Sequence, residues 1–254
     1  MPRIPNETKQ EIIKQLHEGI SLNKISRQFG LYKSTHYYYY KKVKGKKFKE
    51  PLFTPASTET EGEIVGIFAG DGSQYFEPKK YGYEVNVHFG GHNHHYAYAV
   101  KELFEGFFHK KFILRPESQN RLRLRPQSKK IYHYFHHYLD FKPSLKHATV
   151  NLHSMDLPHP FKIGFIRGLI DTDGHIAHSI GRRKRIFFYT TSSELAANIS
   201  SILSELKLVH GVHKVIRPHT GFKPLYTINI WKNSVDRFIN IVRPRKFRLK
   251  WAGS

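Results

Sequence analysis

The chain contains no cysteine, so disulfides and thiolate metal sites are excluded from the outset. Acidic residues are scarce. Twenty Asp and Glu stand against 42 Lys and Arg, a formal charge of +22. A compact chain resists such self-repulsion unless a polyanion is its usual partner. Nucleic acid is the first candidate and an anionic membrane surface the second. Long apolar runs are missing as well: no stretch of 18 apolar residues occurs, so no transmembrane helix is expected. The opening residues, MPRIPNETKQ, hold no apolar signal region. These absences predict a soluble intracellular protein with no membrane partner, cytoplasmic or nucleoid-associated, with an organelle left open. Aromatic residues, by contrast, make up 14% of the chain within a hydrophobic share of 39%. A real core is expected, in one large domain or two to three small ones.

The chain repeats itself. GEIVGIFAGDGSQ at 62–74 aligns with GFIRGLIDTDGHI at 164–176. Gly62, Gly66, Gly70, Asp71 and Gly72 match Gly164, Gly168, Thr172, Asp173 and Gly174, each pair 102 residues apart. Val100 and Leu103 match Leu203 and Leu206 at an offset of 103; Ile131, Tyr134 and Phe135 match Val235, Phe238 and Ile239 at 104. Three matches in the same order indicate duplication of a unit of about a hundred residues, with two small insertions in the second copy. Each copy reads as motif helix, two alternating strands, helix, two strands and closing helix. YEVNVHF, KFILR and RLRLR are strands of the first copy; RKRIFFYTT, GVHKVI and LYTINIW are strands of the second. The expected fold is α+β: two pseudo-symmetric αββαββα repeats, at 62–150 and 151–254, each with an antiparallel sheet.

Both motif helices are apolar yet end in acid, where the helix dipole disfavours an aspartate by roughly 0.3–1 kcal/mol. Positions 62, 66 and 70, and 164, 168 and 172, lie on one face of each helix. Alone, such a small-residue stripe is an ordinary packing seam within one unit. Two identical stripes point to the helices packing on each other about a pseudo-twofold axis, which would bring Asp71 and Asp173 side by side. Two carboxylates about 4 Å apart repel by roughly 4 kcal/mol at an effective dielectric of 20. A divalent cation relieves this, and Mg²⁺ is typically held by one or two carboxylates plus substrate phosphates. Such metals activate water and stabilise the leaving oxygen of a phosphodiester.

IVGIFAGDG and IRGLIDTDG resemble the two signature motifs of the LAGLIDADG homing endonucleases. The second is close to the family pattern. The first departs at Ala69, where the family often has an acid that is not the metal ligand. The resemblance spans roughly residues 60–245. It implies a single-chain nuclease, expected to act as a monomer, whose saddle-shaped sheets lie over the DNA major groove. It further implies that Mg²⁺ or Mn²⁺ is held by Asp71 and Asp173, with Gly70 and Thr172 counted in the metal site, and that both strands are cut. The family often has a basic residue near the metals, beside the last strand. Lys232 matches it in the second copy; its counterpart in the first is Gln127 or Ser128, so the site reads as asymmetric, with Lys129 as a substitute. Two alternatives stand beside the endonuclease: a regulator that keeps the nuclease fold for binding only, and a maturase that assists intron RNA splicing.

In NRLRLRP, Arg121, Arg123 and Arg125 share one strand face and Leu122 and Leu124 the other. Arginine on guanine is the commonest specific base contact; the alternative is a solvated face against phosphate. In the second copy LYTINIW offers Thr227 and Asn229. GRRKR, with Arg182, Arg183, Lys184 and Arg185, reads as a hairpin tip that grips the DNA backbone.

Residues 1–45 lie outside the repeat. Asn6 is read as the N-cap of a helix bearing Ile12, Ile13 and Leu16; Gly19 ends it, and Ser21 caps a second helix carrying Leu22, Ile25 and Phe29. A third helix is expected from Lys33. The spacing EG-S---I---FG resembles the helix-turn-helix of resolvases and transposases, which implies that Lys33, Ser34, Thr35 and His36 face the major groove. Of the four tyrosines at 37–40, some must pack and others face outward. Residues 46–61 read as a basic linker. His133 with His136 and His137 has the spacing of a zinc pair but no accompanying carboxylate motif, and is read as chance among 18 histidines.

Overall fold

The computed structural model describes residues 4–44, 54–78, 82–90, 93–118, 120–179, 182–216 and 223–246. The chain divides into two compact units, Met1–Glu50 and Pro51–Ser254. Half of the expected basic linker, residues 46–53, lies outside the described residues. No helix among the described residues is long and apolar enough to cross a membrane.

The first unit holds three helices, α1 (Asn6–His17), α2 (Leu22–Phe29) and α3 (Lys33–Lys44). Ile12, Leu16, Leu22 and Ile25 form its core. Ser21 caps α2 by accepting from the Lys24 amide, and Gly30 ends it at φ 62°. The α1 cap differs from expectation. Pro5 occupies the N-cap, and Asn6 is already helical, its side chain accepting from Lys9 Nζ at 2.9 Å. Proline lacks the amide that a helix start would leave unpaired. The tyrosine run divides as helical geometry requires: Tyr37, Tyr39 and Tyr40 pack on the core and Tyr38 is exposed.

The second unit contains the duplication. Its first repeat runs α4 (Glu59–Asp71), β1 (Gly72–Glu77), β2 (Gly82–Gly90), α5 (His94–Phe108), β3 (Ile113–Ser118), β4 (Arg121–Arg125), α6 (Lys129–Tyr138). A connector follows: β5 (Leu139–Asp140), a 3-10 turn (Pro143–Leu145), the single turn α7 (Lys146–Thr149) and β6 (Asn151–Leu152). The second repeat runs α8 (His159–Thr172), β7 (Gly174–Ser179), β8 (Arg182–Thr190), α9 (Ser193–Glu205), β9 (His210–Val215), β10 (Leu225–Ile230), α10 (Lys232–Val242). The two antiparallel four-stranded sheets have the same order, β1-β2-β4-β3 and β7-β8-β10-β9. This is the αββαββα unit expected, twice. Helix α4 starts three residues before the expected Gly62, because Thr58 and Glu61 form a capping box: the Glu61 amide bonds Thr58 Oγ1, and the Thr58 amide bonds Glu61 Oε2.

The two motif helices pack directly on each other. A Cβ on Gly62 would run into the Phe161 carbonyl oxygen, and one on Gly164 into that of Glu59, two contacts related by the same 102-residue offset. Side chains around this seam, including Ile64, Ile67 and Phe68 from α4 and Phe165, Ile166 and Leu169 from α8, belong to one core shared by both repeats. The seam carries buried charge as well. Glu63 is 2% exposed and is held by Arg167 and by Arg245, whose Nε lies 2.6 Å away. Buried charges persist when so paired.

Candidate active site

Asp71 is the last residue of α4, and Asp173 caps the C-terminus of α8, its amide bonded to the Leu169 carbonyl at 3.0 Å. Because the helices pack side by side, both carboxylates stand at the same end of the pair. Burial is the main cause that raises Asp71, and the charge of Asp173 adds to it, so its pKa is pushed up to about 7. Burial raises Asp173 too. Neither shift is removed by the lysines nearby. Two buried carboxylates of this kind, one raised further by the other, fit a divalent cation completed by substrate phosphate. Among the described residues no cluster of three or more His, Asp or Glu side chains forms a closed metal cage.

The lysine that the structure brings to the pair is Lys146, at the start of α7. Its ammonium donates to the Phe68 and Gly70 carbonyls at 3.0 and 2.8 Å, and to that of Ala69, so it closes the carboxyl end of α4. Burial pulls its pKa down to about 8, against the opposing charges of Asp173 and Asp71. Lys246 plays the related part in the second repeat, donating to the Asp171 carbonyl at 3.3 Å. Both lysines follow the closing helix of their repeat, but they lie 100 residues apart, outside the 102–104 offsets of the repeat, so the repeat arithmetic does not pair them. Lys232, by contrast, opens α10 in exposed surroundings, and the charges acting on Asp71 are those of Asp173, Lys246 and Lys146. Gln127 is exposed, and its carbonyl accepts from Lys110 at 2.8 Å. The Gly70 carbonyl is engaged by Lys146, and the Thr172 hydroxyl donates back to the Gly168 carbonyl at 3.0 Å.

The acid at Asp171, absent from the first motif, has a different job. Its carboxylate is buried, and it accepts from the amides of Arg245 and Lys246 at 2.8 and 3.1 Å. Burial raises its pKa to about 7 despite those two bonds. It fastens the segment after α10 to the motif helix, and Ala69 does without it.

Each sheet turns one face to the helices and leaves the other open. In β4, Leu122 and Leu124 are buried while the arginines face away from the core, as the alternation predicts. Arg125 pairs with Glu84 on β2, and Arg123 lies 3.5 Å from Glu117. In the second sheet Ile228 and Ile230 are buried, and Thr227 and Asn229 lie on the open face. Arg185 is exposed; the side chains of Arg182, Arg183 and Lys184 lie outside the described residues. In the first unit Ser34 is exposed and Thr35 half-buried, while the side chain of Lys33 lies outside the description. His36 corrects the expected groove-facing set. It is wholly buried beside Phe29, at 6.4 Å between rings, and burial lowers its pKa. Its position on α3 turns it inward to complete a small core. His136 of the histidine trio bonds Gln74 Oε1 at 2.9 Å and stacks on Phe141.

Residues 160–243 match the family model of a LAGLIDADG-like domain. No curated protein matches the chain. Among solved structures, mesophilic variants of the homing endonuclease I-DmoI are similar at TM-score 0.55 and 21% identity, over 75% of this chain and 98% of theirs. I-DmoI in complex with DNA and Mn is similar at TM-score 0.54 and 21% identity, over 73% and 97%. The homing endonuclease I-WcaI bound to its DNA recognition sequence is similar at TM-score 0.50 and 13% identity, over 75% and 84%. These likenesses are of fold. Residues 160–243 thus carry the LAGLIDADG-like domain, and the motif helix that opens it occurs a second time at Glu59–Asp71.

Proposed function

We propose that this protein is a site-specific DNA endonuclease that cuts both strands of a duplex with the help of Mg²⁺ or Mn²⁺. The observation that carries the reading is the Asp71–Asp173 pair: two carboxylates, each raised by burial and one by the other, at the meeting ends of two equivalent helices. A protein that only bound DNA would gain nothing from that repulsion. I-DmoI has been solved with DNA and Mn, and with DNA and Ca, and I-WcaI on its recognition sequence, which supports duplex DNA as the ligand of this fold. The net charge of +22 supplies the attraction.

In this reading Asp71 and Asp173 would hold the cation, which substrate phosphate would complete. The bound cation supplies Lewis acidity toward the phosphodiester and toward an attacking water. Lys146 keeps the end of α4 compatible with both carboxylates by offsetting their charge. The open sheet faces bind the duplex on either side of the cut, and α3 of the first unit adds contacts through Ser34 and Thr35. The test is incubation of duplex DNA carrying an enriched binding site, with and without Mg²⁺. Cation-dependent double-strand breaks, lost in Asp71→Asn and Asp173→Asn while binding persists, support the reading. Tight specific binding without cutting by the wild type, at any divalent ion, would make the chain a regulator instead.

A further inference from the structure

The second repeat holds a cavity of about 600 Å³ that the endonuclease reading leaves unused. It lies at the end of the α4–α8 pair opposite Asp71 and Asp173, about 20 Å away along the helix axes. Glu59 and His159, the first residues of α4 and α8, stand at its wall, and the ends of α9 and α10 border it. The same place in the first repeat is built differently. At the 102-residue offset, His159 and Ile163 of the cavity correspond to Ser57 and Glu61. There the side chains meet: the Ser57 amide donates to the Tyr138 hydroxyl at 3.1 Å, and the Tyr134 and Tyr138 hydroxyls donate to Glu61 at 3.0 and 3.1 Å. Glu61 is wholly buried. The opening therefore belongs to the side chains of the second repeat, not to the fold.

The charges around the cavity do not cancel. Its two acids are engaged already, Glu59 by Arg167 and Glu205 by Lys162 at 2.7 Å. Lys207, Arg237 and Arg243 remain, all exposed, and among the described residues none of them is paired with an acid. Arg243 uses only its Nε, on the Asn240 carbonyl at 3.2 Å. Lys207 and Arg243 stand in the left-handed region, at φ 55° and 51°, just past α9 and α10, where glycine is the usual residue. A cation at a helix end offsets the dipole, but Arg237 lies in the middle of α10 and that account does not reach it. Two guanidiniums and an ammonium around one hollow match the oxygens of a phosphate. Ile163, Leu206 and Ile241 add an apolar wall beside them. A cavity of this size takes an organic molecule rather than a bare ion.

We propose that this cavity binds a small organic phosphate of about nucleotide size. Lys207, Arg237 and Arg243 hold its phosphate, and its body lies against Ile163, Leu206 and Ile241. The site is lined by helices, away from both the carboxylate pair and the open sheet faces, and it does not rest on the endonuclease reading.

The test is calorimetric titration of adenosine 5′-monophosphate into the full chain, in metal-free buffer, after saturation with duplex DNA. The duplex covers the surface that attracts polyanions, so a nucleotide that still binds does so elsewhere. The expected result is one nucleotide per chain. Adenosine, without the phosphate, should bind at least about ten-fold more weakly, and so should inorganic phosphate, which leaves the apolar wall bare. Arg237→Gln and Lys207→Gly should each weaken the nucleotide by about ten-fold, the loss of one charge-assisted hydrogen bond. Both side chains are exposed, and Lys207→Gly puts glycine where the backbone is already left-handed, so the variants should keep the wild-type Tm or exceed it. No binding to the duplex-saturated chain, inorganic phosphate as tight as the nucleotide, or unchanged affinity in both variants would overturn the proposal and leave the endonuclease reading where it stands.

Discussion

Gly66 and Gly168 stand back to back across the helix pair. A Cβ on Gly66 would lie 3.1 Å from the Gly168 Cα, and one on Gly168 would lie 2.7 Å from the Gly66 carbonyl carbon. Each glycine is thus the reason the other can be where it is, and the separation they set fixes how near Asp71 comes to Asp173. Gly168→Ala should force the helices apart at a cost of about 1–3 kcal/mol, lowering Tm by roughly 2–10 °C in a unit of this size. Gly106 in α5 provides the contrast, because a Cβ there meets nothing within 4 Å. Gly106→Ala should stabilise by about 0.5–1 kcal/mol through helix propensity. Differential scanning calorimetry of the two variants should give shifts of opposite sign, and a neutral Gly168→Ala would remove the glycines from this role.

The carboxylate pair predicts a pH dependence. Asp71 has a folded pKa of about 7 against an ordinary value of 3.8. An acid whose folded pKa is raised binds its proton more tightly in the native state. Its contribution to stability is therefore full below about pH 4, falls as pH rises to about 7, and is flat above. The metal-free wild type should lose more stability than Asp71→Asn between pH 4.5 and pH 7.5, and the variant should be the more stable of the two at pH 7.5. Mn²⁺ should raise the Tm of the wild type at pH 7.5 and do little for Asp71→Asn. Because the cation must displace a proton, its affinity should weaken below about pH 7. Thermal melts across pH, with and without Mn²⁺, check all three; a variant less stable than the wild type at pH 7.5 would remove the repulsion.

Much of this is legible in the sequence because the duplication repeats every clue. The paired DG ends, the glycine stripes and the strand alternation each occur twice, and both repeats show the expected αββαββα order of elements. What escapes the sequence depends on long-range packing. Lys146 sits in a connector without helical or strand periodicity, and only folding carries it 76 residues back to the Gly70 carbonyl. Lys232 matches a position beside a strand end, and it stands exposed at the start of α10. His36 turns inward because a three-helix unit this small must fill its core with whatever faces that way. The aromatic residues of β8 look like ordinary strand formers, and only the register of β8 against β10 places Phe187 and Tyr189 on the open side.

The first unit gives a third prediction. It has its own core of Ile12, Leu16, Leu22 and Ile25, and the repeats share a separate one. Deleting residues 1–45 should therefore leave the second unit folded with an unchanged unfolding transition. It should bind a shorter site more weakly, with the slope of log affinity on log salt reduced by about 0.9 for each phosphate no longer neutralised. Nuclease footprinting of both forms checks this. An unchanged footprint would mean that the first unit does not touch DNA.

The last prediction separates Lys146 from Lys232. Lys146 is buried, bonds the final carbonyls of α4 and is charged beside both aspartates. Lys146→Met keeps much of the aliphatic stem and removes the ammonium. The Ala69 and Gly70 carbonyls then lose the ammonium, as does that of Phe68, which keeps the Gly72 amide, and Asp71 and Asp173 are deprived of the nearby cation that lowers both. Their pKa values should rise further, so the acidic limb of the cutting profile should move to higher pH, and cutting at pH 7 should fall by at least about ten-fold, the equivalent of one pKa unit. Stability should fall by about 1–3 kcal/mol from the lost hydrogen bonds to the buried end of α4. A purely structural lysine would lower Tm without moving the pH limb, so the profile rather than the rate decides. Lys232→Met changes an exposed side chain at the start of α10 and should leave both the rate and the limb within about two-fold, since surface substitutions rarely exceed about 0.5 kcal/mol. Single-turnover cutting of the selected site from pH 5.5 to 9 measures both variants. An unmoved limb in Lys146→Met, or a moved one in Lys232→Met, would return the role to the strand-end position.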